Sequence, residues 1–233
     1  MALAMNATAP SSGSAAAPQE GCVDAVSDPR GLYGDELRFR VLRDGRPVGA
    51  HRVHFRNDGD RVIADTRFDL EVRVLFFSAY RYSYRSQDVW RDGCLVSLSA
   101  ETDDNGSLSR VTAERRGDEL HVQGPTGGYV TDPAIFPTTH WNASVVDSDR
   151  VLNTINGRVA RVTVEPLGPS TVMVAGQPVT ARHYRYSGDL HTEVWYDPDG
   201  RWVKMRFEAK DGSTIEYECE VCRPEHGTSP GSA

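Results

Sequence analysis

Histidine is the side chain that most readily moves protons near neutral pH. Among the seven in this sequence, His140 is placed best for that work. It stands beside Trp141 in a stretch, Gly124 to Leu152, where neither strand nor helix periodicity holds and Gly127-Gly128, Pro133 and Pro137 interrupt the chain. Long irregular segments in compact domains carry function more often than they decorate, although a histidine there also serves by hydrogen-bonding a loop carbonyl. His183 and His191 flank a tyrosine-bearing strand, and spacing assigns them no carboxylate partner. His51 and His54 are three apart on an expected strand, so they face opposite ways and cannot chelate together. Cys219, Cys222 and His226 are one ligand short of a structural zinc site. Gly227-Thr228-Ser229-Pro230-Gly231 matches a nucleophile elbow, but that elbow joins a strand to a helix in an α/β sheet, and this copy lies in a polar tail. The zinc-protease, phosphate-loop and EF-hand patterns are absent. The expectation is no metal, no cofactor and no assignable catalytic set.

The aromatic residues offer a different chemistry. Tyr80, Tyr82 and Tyr84 share one face of a strand, as do Tyr184 and Tyr186, and Trp90 and Trp195 follow them. Inward tyrosines present apolar rings with a polar tip, which suits a cavity for an elongated amphipathic molecule. The same pattern suits ordinary core packing and cross-strand pairs. Tyr80-Arg81-Tyr82-Ser83 recurs as Tyr184-Arg185-Tyr186-Ser187. Val89-Trp90, Asp92 and Asn105-Gly106-Ser107 recur as Val194-Trp195, Asp197 and Asp211-Gly212-Ser213 at a nearly constant offset. This predicts a duplication covering about residues 80–107 and 184–213, against the plainer reading that hairpins of one grammar look alike.

The elements that must hold these residues are strands. Val62, Ala64, Thr66, Phe68, Leu70, Val72 and Val74 alternate with Asp65, Arg67, Asp69, Glu71 and Arg73, a period of two with one dry face. Leu37, Phe39 and Val41 alternate with Glu36, Arg38 and Arg40 in the same way. Further strands are expected at 50–55, 79–85, 95–100, 110–113, 120–122, 158–165, 171–174, 179–186, 193–196, 202–208 and 214–221. Asp44-Gly45, Asp58-Gly59, Asp92-Gly93, Asn105-Gly106, Asn156-Gly157, Asp199-Gly200 and Asp211-Gly212 supply the positive φ angles of tight hairpins. Together these predict an all-β, antiparallel meander curling around an apolar interior. A long loop with one short helix is expected near Thr139, taking in Val145 and Val146.

The 233 residues fit one large β domain. We place it at 32–222, after a disordered segment, 1–31, rich in Ala, Ser, Gly and Pro, and before a tail, 223–233. With 26 basic and 33 acidic residues the formal charge is −7, which argues against nucleic-acid binding and against adsorption to an anionic membrane. No apolar run reaches the length of a transmembrane helix, and the strands are too short or too charged for an outer-membrane barrel. Ala7-Thr8-Ala9 and Ala15-Ala16-Ala17 resemble signal cleavage sites, yet Met1–Met5 supply neither a charged start nor an apolar run. Export from a start further upstream and residence in the cytoplasm both stay open. Four cysteines permit disulfides in an exported chain, but Cys219 and Cys222 would point to opposite faces of a regular strand.

The segments Gly34-Asp35-Glu36-Leu37, Val41 to Gly49, Trp90 to Leu95, Trp195-Tyr196-Asp197 and Asp211-Gly212-Ser213 resemble an uncharacterised bacterial family of exported β proteins over about residues 33–221. The resemblance implies a fold similar to the lipoprotein-localisation carriers, an unclosed β half-barrel whose concave face is covered by helices and loops. It implies a binding or carrier role for a lipid-like molecule and supplies no catalytic residues. The expected ligand contacts are Tyr80, Tyr82, Tyr84, Trp90, His140, Trp141, Tyr184, Tyr186 and Trp195. The alternatives are a small-molecule enzyme of isomerase, cyclase or hydrolase type using His140 or a tyrosine, and an accessory protein that binds a partner through a sheet edge.

Overall fold

Period-two alternation is realised as strands almost throughout. The computed structural model describes residues 22, 28–74 and 77–223. A short helix, α1 (Pro29–Tyr33), leads into β1 (Glu36–Arg43), β2 (Arg46–Asp58), β3 (Arg61–Val74), β4 (Phe77–Arg91), β5 (Cys94–Asp104), β6 (Ser107–Arg116), β7 (Glu119–Gly124) and β8 (Gly127–Thr131). Then come β9 (Phe136–Pro137), a 3-10 turn (Ala143–Asp147), β10 (Arg150–Leu152), β11 (Val159–Val174), β12 (Gln177–Gly188), β13 (Thr192–Tyr196), β14 (Trp202–Glu208) and β15 (Thr214–Val221).

All fifteen strands belong to one sheet, in the order β8-β7-β6-β5-β4-β3-β2-β1-β15-β14-β13-β12-β11-β10-β9. Only β9 and β10 pair in parallel. The first and last strands meet mid-sheet, with Val41 opposite Tyr217. β8 and β9 are the two ends, so the sheet curls without closing into a barrel. The β1–β2, β4–β5 and β5–β6 hairpins use expected Asx-Gly pairs, with Asp92 and Gly93 at φ of 48° and 75°, the mirror-image turn whose twist matches that of the flanking strands. In contrast, β11–β12 turns on Ala175-Gly176, which the pattern did not mark.

Several elements differ from the sequence expectation. The strand expected at 79–85 runs on to Arg91, and those expected at 158–165 and 171–174 are one strand, β11, with a register shift between Pro166 and Gly168. The irregular segment starts later than Gly124, because Gly127-Gly128 open β8; glycine conceals a strand that alternation would otherwise reveal. The expected helix is the 3-10 turn, entered through Asn142, whose side chain accepts from the Ser144 amide. Most of segment 1–31 lies outside the described residues, but α1 begins inside it. Proline at the first helical turn favours that start. The tail lies outside the described residues except for Arg223, which pairs with Asp197 at 3.6 Å.

Cysteine pairing also departs from expectation. Cys22 is bonded to Cys94, and Cys219 to Cys222. β15 ends at Val221, so Cys222 is released from strand alternation and turns back onto Cys219. The two segments expected to be repeat copies are built differently. Tyr80 to Trp90 lie in the single strand β4, whereas a turn divides Tyr184-Tyr186 on β12 from Trp195 on β13.

The core fills the concave side. Phe39, His51, Phe68, Trp202 and Tyr217 form one aromatic group, with Phe39 and Trp202 rings 4.4 Å apart and His51 and Trp202 rings 5.3 Å apart. The segment 132–158, between β8 and β11, lies across that face and buries Ile135, Phe136, Trp141, Val145 and Leu152. Trp141 packs 5.7 Å from Trp90 and 5.4 Å from Phe55. Burying a large apolar side chain stabilises by roughly 1.5–3 kcal/mol, so this crossing segment is bound as core. The convex face carries ion pairs such as Arg40–Glu218 at 3.5 Å and Arg85–Asp69 at 3.2 Å. Each is worth about 0–1 kcal/mol.

Candidate functional site

The inward register of β4 reads Tyr80, Tyr82, Tyr84, Ser86, Asp88, Trp90. Its neighbours continue the same face: Thr66 lies opposite Ser86, Ala64 opposite Asp88, Phe68 opposite Tyr84, and Thr102 opposite Tyr84 from the other side. His51 lies opposite Phe68 one strand further on. A patch of polar side chains therefore sits in the floor of an otherwise apolar concave face. Thr66, Ser86, Asp88 and Thr102 are buried, and Asp88 has no exposed surface. His51 keeps some exposed surface while its Nδ1 is enclosed.

The crossing segment forms the roof through Thr139, His140, Trp141 and Asn142. It is fastened by tyrosines. The Tyr33 hydroxyl donates to the Trp141 carbonyl at 2.7 Å and accepts from the Trp202 amide at 2.9 Å. The Tyr196 hydroxyl donates to the His140 carbonyl at 3.0 Å, and the Tyr84 hydroxyl to Thr154 Oγ1 at 2.8 Å. At the far end of the segment, Gly157, with φ of 71°, passes so close to Gly124 that a side chain on either would strike the other backbone.

Between floor and roof many polar atoms find no hydrogen-bond partner among the described residues. They are both carboxylate oxygens of Asp88, the hydroxyls of Thr66, Ser86, Thr102 and Tyr186, Nδ1 of His51 and His140, and the side-chain nitrogens of Trp90, Trp141 and Asn142. Native interiors rarely leave such atoms unpaired. Burial raises the Asp88 carboxyl to about 7; the Ser86 and Thr139 hydroxyls lean the other way, near enough to favour the ionised form without well-formed hydrogen bonds. Burial lowers His140 to about 4 and His51 to about 3, with His140 adding to the effect on His51. Both histidines are therefore neutral at neutral pH. No arginine or lysine among the described residues pairs with Asp88, and the charged group that reaches it is another carboxylate, Asp65.

Along the crossing segment the structure packs Trp141 against Trp90 and His140 against Tyr186, and joins Tyr84 to Thr154. The His140 ring lies 5.6 Å from those of Tyr186 and Trp202. Tyr82 and Tyr80 continue down β4 with rising exposure; the Tyr82 ring is 5.5 Å from Phe68 and the Tyr80 hydroxyl donates to Asp104 at 2.6 Å. Tyr184 is half-buried against Tyr196. Trp195 is not in this group. It leaves β13 on the face opposite to Val194 and Tyr196, stacks on His183 at 4.0 Å, and donates to Ser170 at 2.9 Å under Lys204 and Arg206. The turn within the second expected repeat copy is what reverses it.

Sequence reasoning missed Asp88, Ser86, Thr66 and Thr102 as site residues. Their signal was polar side chains on the dry register of a strand: Thr66 already stood on the dry face of the strand read at 62–74, whereas Ser86 and Asp88 lay beyond the strand expected to stop at Arg85, and Thr102 beyond the one expected to stop at Ala100. Among the described residues no three His, Cys, Asp or Glu side chains are grouped to hold a metal ion. Two surface clefts, of about 630 Å³ beside Arg43, Arg46 and Arg73 and about 420 Å³ along Thr112, His121 and Tyr129, are lined by none of these polar residues.

No helix among the described residues is long and apolar enough to cross a membrane. The fold resembles the crystal structure of a β-barrel-like protein of domain of unknown function DUF1849 from Brucella abortus, with a TM-score of 0.55, 12% identity, and coverage of 79% of this chain and 94% of that one. Identity that low carries the fold alone. No curated protein matches the chain. Residues 39–220 match the family described as domain of unknown function DUF6134, and the chain, an unclosed antiparallel half-barrel with buried polar side chains under its crossing segment, belongs to that family.

Proposed function

We propose that the protein binds an elongated amphipathic small molecule between the concave face and the crossing segment 132–158, and acts as its carrier. One observation carries this reading: the inward face of β4 grades from unpaired polar groups at Ser86 and Asp88 to a track of tyrosines at Tyr84, Tyr82 and Tyr80. A buried polar group left unpaired costs about 1–3 kcal/mol, so a molecule that pairs several of them gains from each. The tyrosines offer its apolar portion rings on one side and hydroxyls at their tips. Trp90, His140, Trp141 and Tyr186 complete the walls around the polar end. In the closed form described above, the rings of the crossing segment occupy the space, so binding requires that segment to lift.

The resemblance to lipoprotein-localisation carriers agrees with a role in holding lipid-like molecules. The two disulfides support an oxidising compartment, where such bonds persist. The test is to purify the protein natively, extract it with organic solvent, and identify what leaves it by mass spectrometry. The stripped protein is then titrated with the neutral apolar probe N-phenyl-1-naphthylamine. An extracted amphiphile at near-stoichiometric yield and a saturable rise in probe fluorescence are expected. A preparation that releases nothing and leaves the probe dark would overturn the reading.

A further inference from the structure

We propose that the polar end of the bound molecule is a protonated amine, held by the carboxylate of Asp88. The inference rests on the ligand-binding reading above and names the chemistry of the head group.

Asp88 is fully enclosed, and the Ser86 and Thr139 hydroxyls near it form no well-made hydrogen bond to either of its oxygens. The chamber holds no counter-charge for it: no arginine or lysine reaches it among the described residues, and the Arg-rich ladders lie on the convex face. An ionised carboxylate enclosed without a partner is among the costliest arrangements in a protein interior. A ligand that brings one positive charge removes that cost, whereas an anionic head would meet a negative group with nothing to offset it. The surrounding atoms fit an ammonium in number and kind. A primary ammonium has three donors. The two Asp88 oxygens accept two of them, and the Ser86 hydroxyl, two positions along the same face, accepts the third. Thr66 is the cross-strand neighbour of Ser86 and supplies a further acceptor.

The walls agree with the charge. Trp90 is on the same face of β4 two residues beyond Asp88, and Trp141 meets it edge to face at 5.7 Å. Indole faces attract desolvated cations. Their ring nitrogens, too, have no hydrogen-bond partner among the described residues. From Asp88 the strand rises about 3.3 Å per residue, which places Tyr84 about 13 Å and Tyr82 about 20 Å away. An alkyl chain anchored at Asp88 thus runs along the tyrosine track toward the open end of β4.

The test compares dodecylamine, dodecanol and dodecanoate, each below its micelle concentration, as competitors for N-phenyl-1-naphthylamine on the stripped wild-type protein at pH 7.5. Dodecylamine is expected to bind at least about tenfold more tightly than either of the others, the order of a buried charge-assisted hydrogen bond. Asp88→Asn is expected to remove that preference, so that dodecylamine binds within about twofold of dodecanol on the variant. Dodecanol or dodecanoate binding as tightly as the amine would overturn the proposal from the wild-type ranking alone, whether or not the variant folds. An Asp88→Asn protein that keeps the preference would overturn it too. If none of the three displaces the probe while the probe itself binds, the amine head fails and the cavity stands. If the probe does not bind either, the carrier reading fails with it.

Discussion

At the residue scale, Asp88, His140 and the half-buried His51 make the stability of the fold respond to pH. The Asp88 carboxyl is raised from 3.8 to about 7. Below pH about 4 it is protonated in the folded and unfolded chain alike; between there and about 7 the unfolded chain releases a proton that the folded chain keeps, so its contribution is lost as pH rises. His140 and His51 behave oppositely. Their folded values, about 4 and about 3, lie below the ordinary 6.5. As pH falls below that value the unfolded chain takes up two protons that the folded chain refuses, and stability is lost. From about pH 4.5 to 6 these three groups therefore bind one proton in the folded state and two in the unfolded. Stability rises with pH by about 1.4 kcal/mol per unit from them. Asp88→Asn is expected to steepen the measured slope by that amount, and His140→Gln to flatten it by the same. Urea unfolding at three pH values in this window measures both, and an Asp88→Asn slope equal to wild type would show that the carboxyl is already ionised when folded. Of the site, the aromatic half was legible in the sequence because Tyr84, Trp90, Trp141 and Tyr186 are apolar residues in strand or lid positions. The polar half was not, because Asp88 and Ser86 look like solvent-facing residues until the length of β4 fixes their register.

At the scale of elements, the crossing segment 132–158 covers the concave face. It is held by buried side chains and by tyrosine hydroxyls that grip its backbone at Trp141 and His140. Tyr196→Phe deletes one of these bonds with little change of volume. It is expected to cost about 1 kcal/mol, to speed amide exchange across residues 139–146, and to accelerate probe binding. Exchange that is unchanged in this stretch would show that the Tyr196 hydrogen bond does not restrain it. Trp195→Ala removes a ring of similar size from the convex face and is expected to leave probe affinity unchanged. The fold was read well where alternation is clean: β14 and β15 end at the residues the pattern indicates, and β3 differs by one. It was read poorly where the cause of order lies outside the segment. β8 is a glycine-led edge strand defined by its pairing with β7. The roof is ordered because Trp90 and Phe55 offer Trp141 a place to pack, which no local pattern announces.

At the scale of the molecule, the two disulfides differ in what they close. Cys22–Cys94 spans 72 residues and Cys219–Cys222 spans three. If a cross-link acts mainly by restricting the unfolded chain, the long loop contributes about 4 kcal/mol and the short one much less. Cys94→Ser is expected to lower the denaturation midpoint nearly as far as full reduction does, and Cys222→Ser only slightly; equal effects would place the stabilisation in local native contacts.

The adjacency of β1 and β15 has a kinetic meaning. Apart from that seam, every pairing in the sheet joins strands that follow one another along the chain. Each arm of the meander is rich in short-range contacts and can zip outward from its own hairpins, but the seam joins Arg38 to Val221 and waits on a search by nearly the whole polypeptide. Folding speed falls as contacts become more distant in sequence, so the seam is the expected slow step. A circular permutant that joins β15 to β1 through a linker and opens the chain between β8 and β9 would turn the sheet into one uninterrupted meander running from β9 through β15 and β1 to β8. It would convert the one long-range strand pairing into a local hairpin and leave the order of strands in the sheet unchanged.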